Sequence, residues 1–301
     1  MNHRFISPAL AAVVMVVCFA GCSKSNTDTA STPAAQPTPA AAAASTAPAG
    51  DATYTFSISP AWKTGMKFGY VGDDQAASPD GKTSIHFEAD GEVLAMLPSG
   101  TPQKLALTVK ALHVTGADLP PESLPGPGSK VVIEYPPNGK RRITFNDKLA
   151  SGDATQCLDA VLLITLRNHT DQDVFGPSGP VAVGANWPVN AKAFTDFNEE
   201  GEQHFTSMEG SLNLQGIEGE GESRVAAVSG VLMSKGQNPP DDPGTFVMLL
   251  NFSAWVPLGP TGVFKETMVT NTTITPSGAA ALFASKPETD VETVTQEVTV
   301  R

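Results

Sequence analysis

The chain has few cysteines and few cations. Of its three cysteines, Cys18 and Cys22 belong to the extreme N-terminus, so only Cys157 lies in the body of the protein. No disulfide framework can hold that body together, and its stability must come from an apolar core. Lys and Arg together number 19 against 31 Asp and Glu, a net charge of −12. A surface of that sign repels phosphate, so nucleic acid is excluded as a partner. The one basic cluster, Lys140-Arg141-Arg142, reads as a solvated hairpin shoulder. Nucleotide and hydrolase signatures are missing too. There is no P-loop, dinucleotide fingerprint or G-x-S-x-G, and Gly176-Pro-Ser178-Gly179 lacks the nucleophile spacing. Histidines 3, 86, 113, 169 and 204 form no H-x-x-x-H or H-E-x-x-H pair, which argues against zinc. No cofactor is expected.

The N-terminus supplies an address. Arg4 precedes an apolar run from Phe5 to Ala20, broken only by Ser7 and Pro8. At about 16 residues the run is shorter than the roughly 20 that a spanning helix needs, and it reads as a signal peptide over residues 1–21. Its end, Ala20-Gly21-Cys22, resembles the lipobox of bacterial lipoproteins. The resemblance implies cleavage before Cys22, lipidation of that thiol with acyl chains of the palmitate class, and membrane attachment through them. Ser23 in place of aspartate implies the outer membrane, with the protein facing the periplasm or the cell surface. Loss of Arg4 with the leader would make the mature chain one unit more negative. Cys157 would then be its only free thiol.

Residues 22–52 are almost wholly Ala, Pro, Ser, Thr, Asn and Gln, without an aromatic or a large aliphatic side chain. Such a segment cannot bury enough apolar surface to offset its ordering entropy, and it is expected to be a flexible spacer. Residues 53–301 are expected to form one β-rich domain, a division into two near residue 150 being the alternative. Tyr54, Phe56 and Ile58 alternate with polar neighbours. So do Met66, Phe68 and Tyr70; Ile85 and Phe87; and Leu105, Leu107 and Val109. A period of two marks strands with one buried face. Asn138-Gly139 predicts a hairpin between Lys130–Pro137 and Lys140–Phe145. Strands continue over Phe205–Leu214, Ser223–Met233, Thr245–Val256, Val263–Thr275 and Val291–Val300. The run Phe246–Val256, apolar on parts of both sides, is the candidate for the sheet centre.

One helix is expected from Ala154 to Asn168, capped by Asp153 with Gln156 and with Leu158, Val161, Leu162 and Thr165 facing the core. A second, shorter one is expected over Ser277–Ala284. The expected fold is mainly β: a curved, half-barrel-like antiparallel sheet carrying one or two packed helices. Val174–Pro188, with Val181, Val183, Gly184 and Trp187, resembles an element of uncharacterised β-rich bacterial lipoprotein families. Trp255–Phe264 resembles their closing hairpin. That resemblance implies no activity.

Three polar groupings could carry chemistry. His86, Glu88 and Asp90 share one strand face, most simply the solvent side. Glu218, Glu220 and Glu222 are expected to line one strand face at an exposed edge, and Glu199, Glu200, Glu202 and His204 lie in a polar loop without a nucleophile nearby. Cys157 reads as a buried small hydrophobe, and Trp187 as a packing residue whose N–H must find an acceptor. The leading functional expectation is a non-catalytic envelope module that binds an apolar ligand or an envelope protein. A hydrolase with dispersed residues and a structural surface lipoprotein are the alternatives. A deep apolar concavity, converging polar side chains, or a filled core would discriminate the three.

Overall fold

The computed structural model describes residues 52–79, 81–117, 119, 123–136, 141–164, 170–198, 204–238, 244–259, 262–276 and 288–301. The leader, Cys22, most of the spacer, the Asn138-Gly139 turn, Thr165, His169, Glu199, Glu200, Glu202 and the expected helix over Ser277–Ala284 lie outside these residues.

The alternating segments form strands. The first half of the chain gives β1 (Thr53–Tyr54), β2 (Lys67–Ser78), β3 (Gly81–Met96), β4 (Pro102–Thr115), β5 (Lys130–Glu134), β6 (Arg142–Phe145) and β7 (Lys148–Leu149). A covering segment follows, with α1 (Gly152–Val161), α2 (Asp171–Phe175), β8 (Val181–Ala182), β9 (Asn186–Pro188) and α3 (Ala191–Asn198). Five long strands complete the chain: β10 (His204–Glu218), β11 (Val225–Gln237), β12 (Gly244–Pro257), β13 (Gly262–Pro276) and β14 (Glu288–Val300).

Twelve strands make one antiparallel sheet in the order β7-β6-β5-β4-β3-β2-β14-β13-β12-β11-β10-β9, which does not close into a barrel. The last strand returns beside the first long one, so the β2–β14 seam, from Val300 opposite Phe68 to Val291 opposite Ala77, joins the two halves of the sequence. The outermost strands, β7 and β9, have two and three residues. Short outer strands leave little backbone for edge-to-edge pairing.

Side chains alternate as the period of two requires. Phe68 and Tyr70, Phe87 and Ala89, Leu105 and Leu107, and Val131 and Ile133 point inward and are buried. So do Phe246, Met248, Leu250, Phe252, Ala254 and Val256 of β12. Burying each of the large ones stabilises the fold by about 1.5–3 kcal/mol. The sheet curls around the covering segment. Helix α1 lies on β2, β3 and β14, and α3 lies on β10. Phe175 of α2 stacks on Phe252 at 5.0 Å, and Phe205 meets Phe194 and Phe246 edge-on.

Several expectations need correction. Strand β12 is not the sheet centre, because β2 and β14 occupy the middle of the order. The Tyr54–Ile58 alternation gives only the two-residue β1, paired with β8. The Ile58 N–H instead donates to the side-chain carbonyl of Gln172 at 2.8 Å, which satisfies the backbone without a ladder. Helix α1 starts and stops earlier than expected. Ser151, not Asp153, is its cap, with Oγ accepting from the Ala154 N–H at 3.2 Å. It ends at Val161 because a side chain on the sheet captures the next backbone groups: the Tyr70 hydroxyl donates to the Val161 carbonyl and accepts from the Leu163 N–H.

Candidate functional site

Two faces of the sheet could carry function, and their chemistry differs. The outer face is divided along its length. Over β2–β5 it is charged and internally paired: Asp73 holds His86 at 2.7 Å, Lys110 reaches Asp90 at 2.9 Å and Glu88 at 3.4 Å, Arg301 reaches Asp90 at 2.9 Å, and Lys104 pairs with Glu134. The hydrogen bond from Lys110, aided by the charges of Lys110 and Arg301, holds the Asp90 carboxyl below its ordinary range. His86, Glu88 and Asp90 thus lie on the outer side, His86 held by Asp73 and the two carboxylates sharing Lys110. Among the described residues no set of three or more His, Cys, Asp or Glu is placed to hold a metal.

Over β11–β14 the outer face changes character. Register places Val231, Asn251, Val269 and Thr293 in one row, then Met233, Leu249, Asn271 and Val291 in the next. Val247 and Thr273 follow beyond Leu249 and Asn271. Val231 is 55% exposed, Val247 43% and Leu249 41%. These two rows of β11–β14 hold no charged residue. Glu209 and Lys235 flank them at one margin, and Lys265 and Glu297 lie beyond the Ser-Thr row at the other. The patch therefore has an aliphatic and amide centre with a charged rim, the pattern of a protein interface.

The inner face has a polar interruption at the seam. Asp74 of β2, Asp290, Glu292 and Gln296 of β14, and Glu266, Thr270 and Thr272 of β13 are all buried. Asp74 and Glu292 sit diagonally across the β2–β14 seam, near enough for one carboxyl to donate to the other. Two carboxyl groups can do this only if one is protonated, and burial pushes Asp74 up to about 7 while that bond acts the other way. Gln296 donates to Glu266 at 2.9 Å. Burial, aided by the charge of Asp171, lifts Glu266 to about 8 against that hydrogen bond. The Asp74 Oδ1, Thr272 Oγ1 and Ser234 Oγ atoms meet no hydrogen-bond partner among the described residues. Beside Gln296 a narrow cleft opens between Trp62, Leu163, Ile164, Thr170 and Asp171.

Sequence reasoning missed this polar group, yet its signal was there. Asp74 has the same parity as Phe68 and Tyr70, Glu266 the same as Phe264 and Met268, and Glu292 the same as Val294 and Val298. A charged residue in an apolar register is the mark of a buried one. Other sites fall differently. Cys157 is buried on α1, and burial, then Asp153 and Asp74, push its thiol up to about 11, far from a nucleophile's range. Trp187 is buried and its indole N–H donates to the Phe175 carbonyl at 2.7 Å. Glu218 ends β10, while Glu220 and Glu222 belong to a tight turn around Gly221–Ser223. The three carboxylates therefore do not line a strand. Gly219 and Gly221, with φ of +78° and +58°, turn the chain between them. His204 is exposed at the start of β10. Arg141 is not solvated as expected but pairs with Asp159 of α1 and is mostly covered.

No protein-family model matches the chain, and no curated protein does. A solved structure of lipovitellin, titled for its lipid–protein interactions, is similar at 10% identity and a TM-score of 0.33. The likeness covers 79% of this chain and 25% of that one, so the chain spans about a quarter of its length.

Proposed function

We propose that the chain is a lipid-anchored, non-catalytic cell-envelope protein that docks a protein partner on the outer face of β11–β14. The observation that carries this reading is the asymmetry of the outer face. One half is charged and self-paired; the other presents exposed Val231, Val247 and Leu249 within uncharged rows. Aliphatic side chains held at 40–55% exposure on long, well-paired strands are not needed for the core.

The charge of the chain selects the occupant. At −12 it is repelled by an anionic bilayer, and the patch has no cluster of Lys or Arg to offset that. A protein surface with an apolar centre fits the patch and its mixed-charge rim. The N-terminus supports the same reading. A spacer of about 30 residues has a mean reach of about 30 Å, which would keep the domain near the anchoring membrane and raise its effective concentration for an envelope partner.

Photo-crosslinking in intact cells tests this directly. A crosslinker at Leu249 or Val231 should give a discrete adduct, one at Lys104 on the charged half should not, and Leu249→Asp should abolish the Val231 adduct. Equal patterns from both halves of the face would overturn the docking assignment. Separately, Cys22→Ser should release the protein from membranes; unchanged membrane retention would reject the anchor.

A further inference from the structure

We infer that the buried Asp74–Glu292 carboxyl pair is a proton-operated latch that keeps α1 seated on the sheet and releases it when the pair loses its proton. The inference concerns the inner face and does not depend on what docks outside.

Position is the first argument. Asp74 and Glu292 lie on β2 and β14, the two strands whose pairing joins the halves of the sheet. Both point inward and both are 5% exposed. Register sets them diagonally across that seam, with Asp74 opposite Val294 and Glu292 opposite Ala76. A hydrogen bond between them needs at least one proton, because two bare carboxylates offer acceptors alone.

The surroundings are the second argument. On β2 the inward groups are Phe68, Tyr70, Gly72 and Asp74. On β3 they are Ile85, Phe87 and Ala89, none of which titrates. Strand β13 contributes Glu266, and β14 contributes Asp290 beside Glu292. Asp153 and Cys157 come from α1, and Asp171, at the start of α2, acts on Glu266. Every ionisable group in this set is acidic. A second negative charge at Asp74 or Glu292 would thus meet like charges from β13, β14 and both helices in a poorly solvated space.

What lies on the seam is the third argument. The C-terminal end of α1 rests against Gly72, where an added Cβ would come within 2.4 Å of the Val161 carbonyl oxygen. Tyr70, next inward on the same strand, grips both sides of that end through the Val161 carbonyl and the Leu163 N–H. Helix α1 is held at its far side by the Arg141–Asp159 ion pair, and at its C-terminal end, beside the carboxyl pair, by the Tyr70 hydroxyl and close packing. Lifting α1 admits water to the charged seam, which makes release the natural response to deprotonation.

Cys157 is a built-in reporter, buried on α1 within reach of Asp74. The test uses the whole chain, with thiol labelling read at the Cys157 peptide by mass spectrometry from pH 6 to 9. In the parent protein the labelling rate, corrected for thiolate fraction, should rise at least about tenfold across this range, the change expected if the opening equilibrium shifts by one decade. Asp74→Asn should flatten the rise. Removing Asp74 also makes the thiol easier to ionise, so slower labelling in the variant at pH 8.5 cannot come from thiol chemistry. Glu292→Gln is the second variant, should Asn at position 74 fail to fold. Equal or faster labelling in folded variants, or a parent protein that stays unlabelled at pH 9, would overturn the latch.

Discussion

Single residues are decisive where a side chain satisfies backbone. Trp187 closes the gap between β9 and α2 by donating to the Phe175 carbonyl. Trp187→Phe keeps most of the ring but leaves that carbonyl without its donor, so stability should fall by about 1–3 kcal/mol. A thermal midpoint unchanged from the parent would show that the hydrogen bond contributes nothing. Gly72 is needed for closeness rather than for its backbone angles, since the Val161 carbonyl occupies the space a methyl would need. Gly72→Ala should therefore cost about 1–3 kcal/mol by forcing α1 off the sheet. Chemical denaturation gives the number, and a neutral result would mean that α1 sits more loosely than its contacts indicate.

Elements follow from local pattern only until a neighbour intervenes. Residues 154–168 have helical spacing, yet α1 stops at Val161 because Tyr70 offers the following backbone a better partner than another helical turn. The start of α1 depends on Ser151, and Ser151→Ala should cost about 1 kcal/mol with an unchanged denaturant slope. On β12 the two faces have separate tasks. The inward row from Phe246 to Val256 is core, while Leu249 faces outward at 41% exposure. Leu249→Asp should cost no more than about 1 kcal/mol, the span of strand preferences, since Leu249 faces outward and touches only its cross-strand neighbours Met233 and Asn271. A large loss of stability would mean that the outer patch belongs to the fold and not to a partner.

The whole molecule responds to pH through carboxyl groups displaced in opposite directions. Asp74 and Glu266 are raised from ordinary values of 3.8 and 4.5 to about 7 and about 8. A group whose folded value is raised binds its proton more tightly in the native state than when unfolded. Its contribution is complete below about pH 4, declines as the pH climbs and is exhausted above the folded values. Asp90, lowered by Lys110, acts oppositely and loses its contribution only in acid. The protein should therefore be more stable at pH 5.5 than at pH 8.5, and Glu266→Gln should reduce the difference. Midpoints that rise over this interval would contradict the burial of both carboxyls. The fold was largely legible, because strands with one buried face announce themselves by alternation. The candidate sites were not. Asp74 and Glu292 are 218 positions apart, and no local pattern says that they meet.

The amino-acid sequence by itself determined the class of structure: an acidic, disulfide-free body with strands of period two. It also supplied the expectation of a leader, a lipid at Cys22 and a spacer. Those follow from composition and short-range pattern, which act within a few residues. Only the tertiary structure decided which strands lie side by side. Placing β14 against β2 brought Asp74 to Glu292, and pairing β11 with β12 and β13 collected Val231, Leu249 and Val269 on one outward face. The reason is physical. An antiparallel ladder transmits parity across the whole sheet, so one choice of register decides which distant side chains share a buried seam and which share a surface.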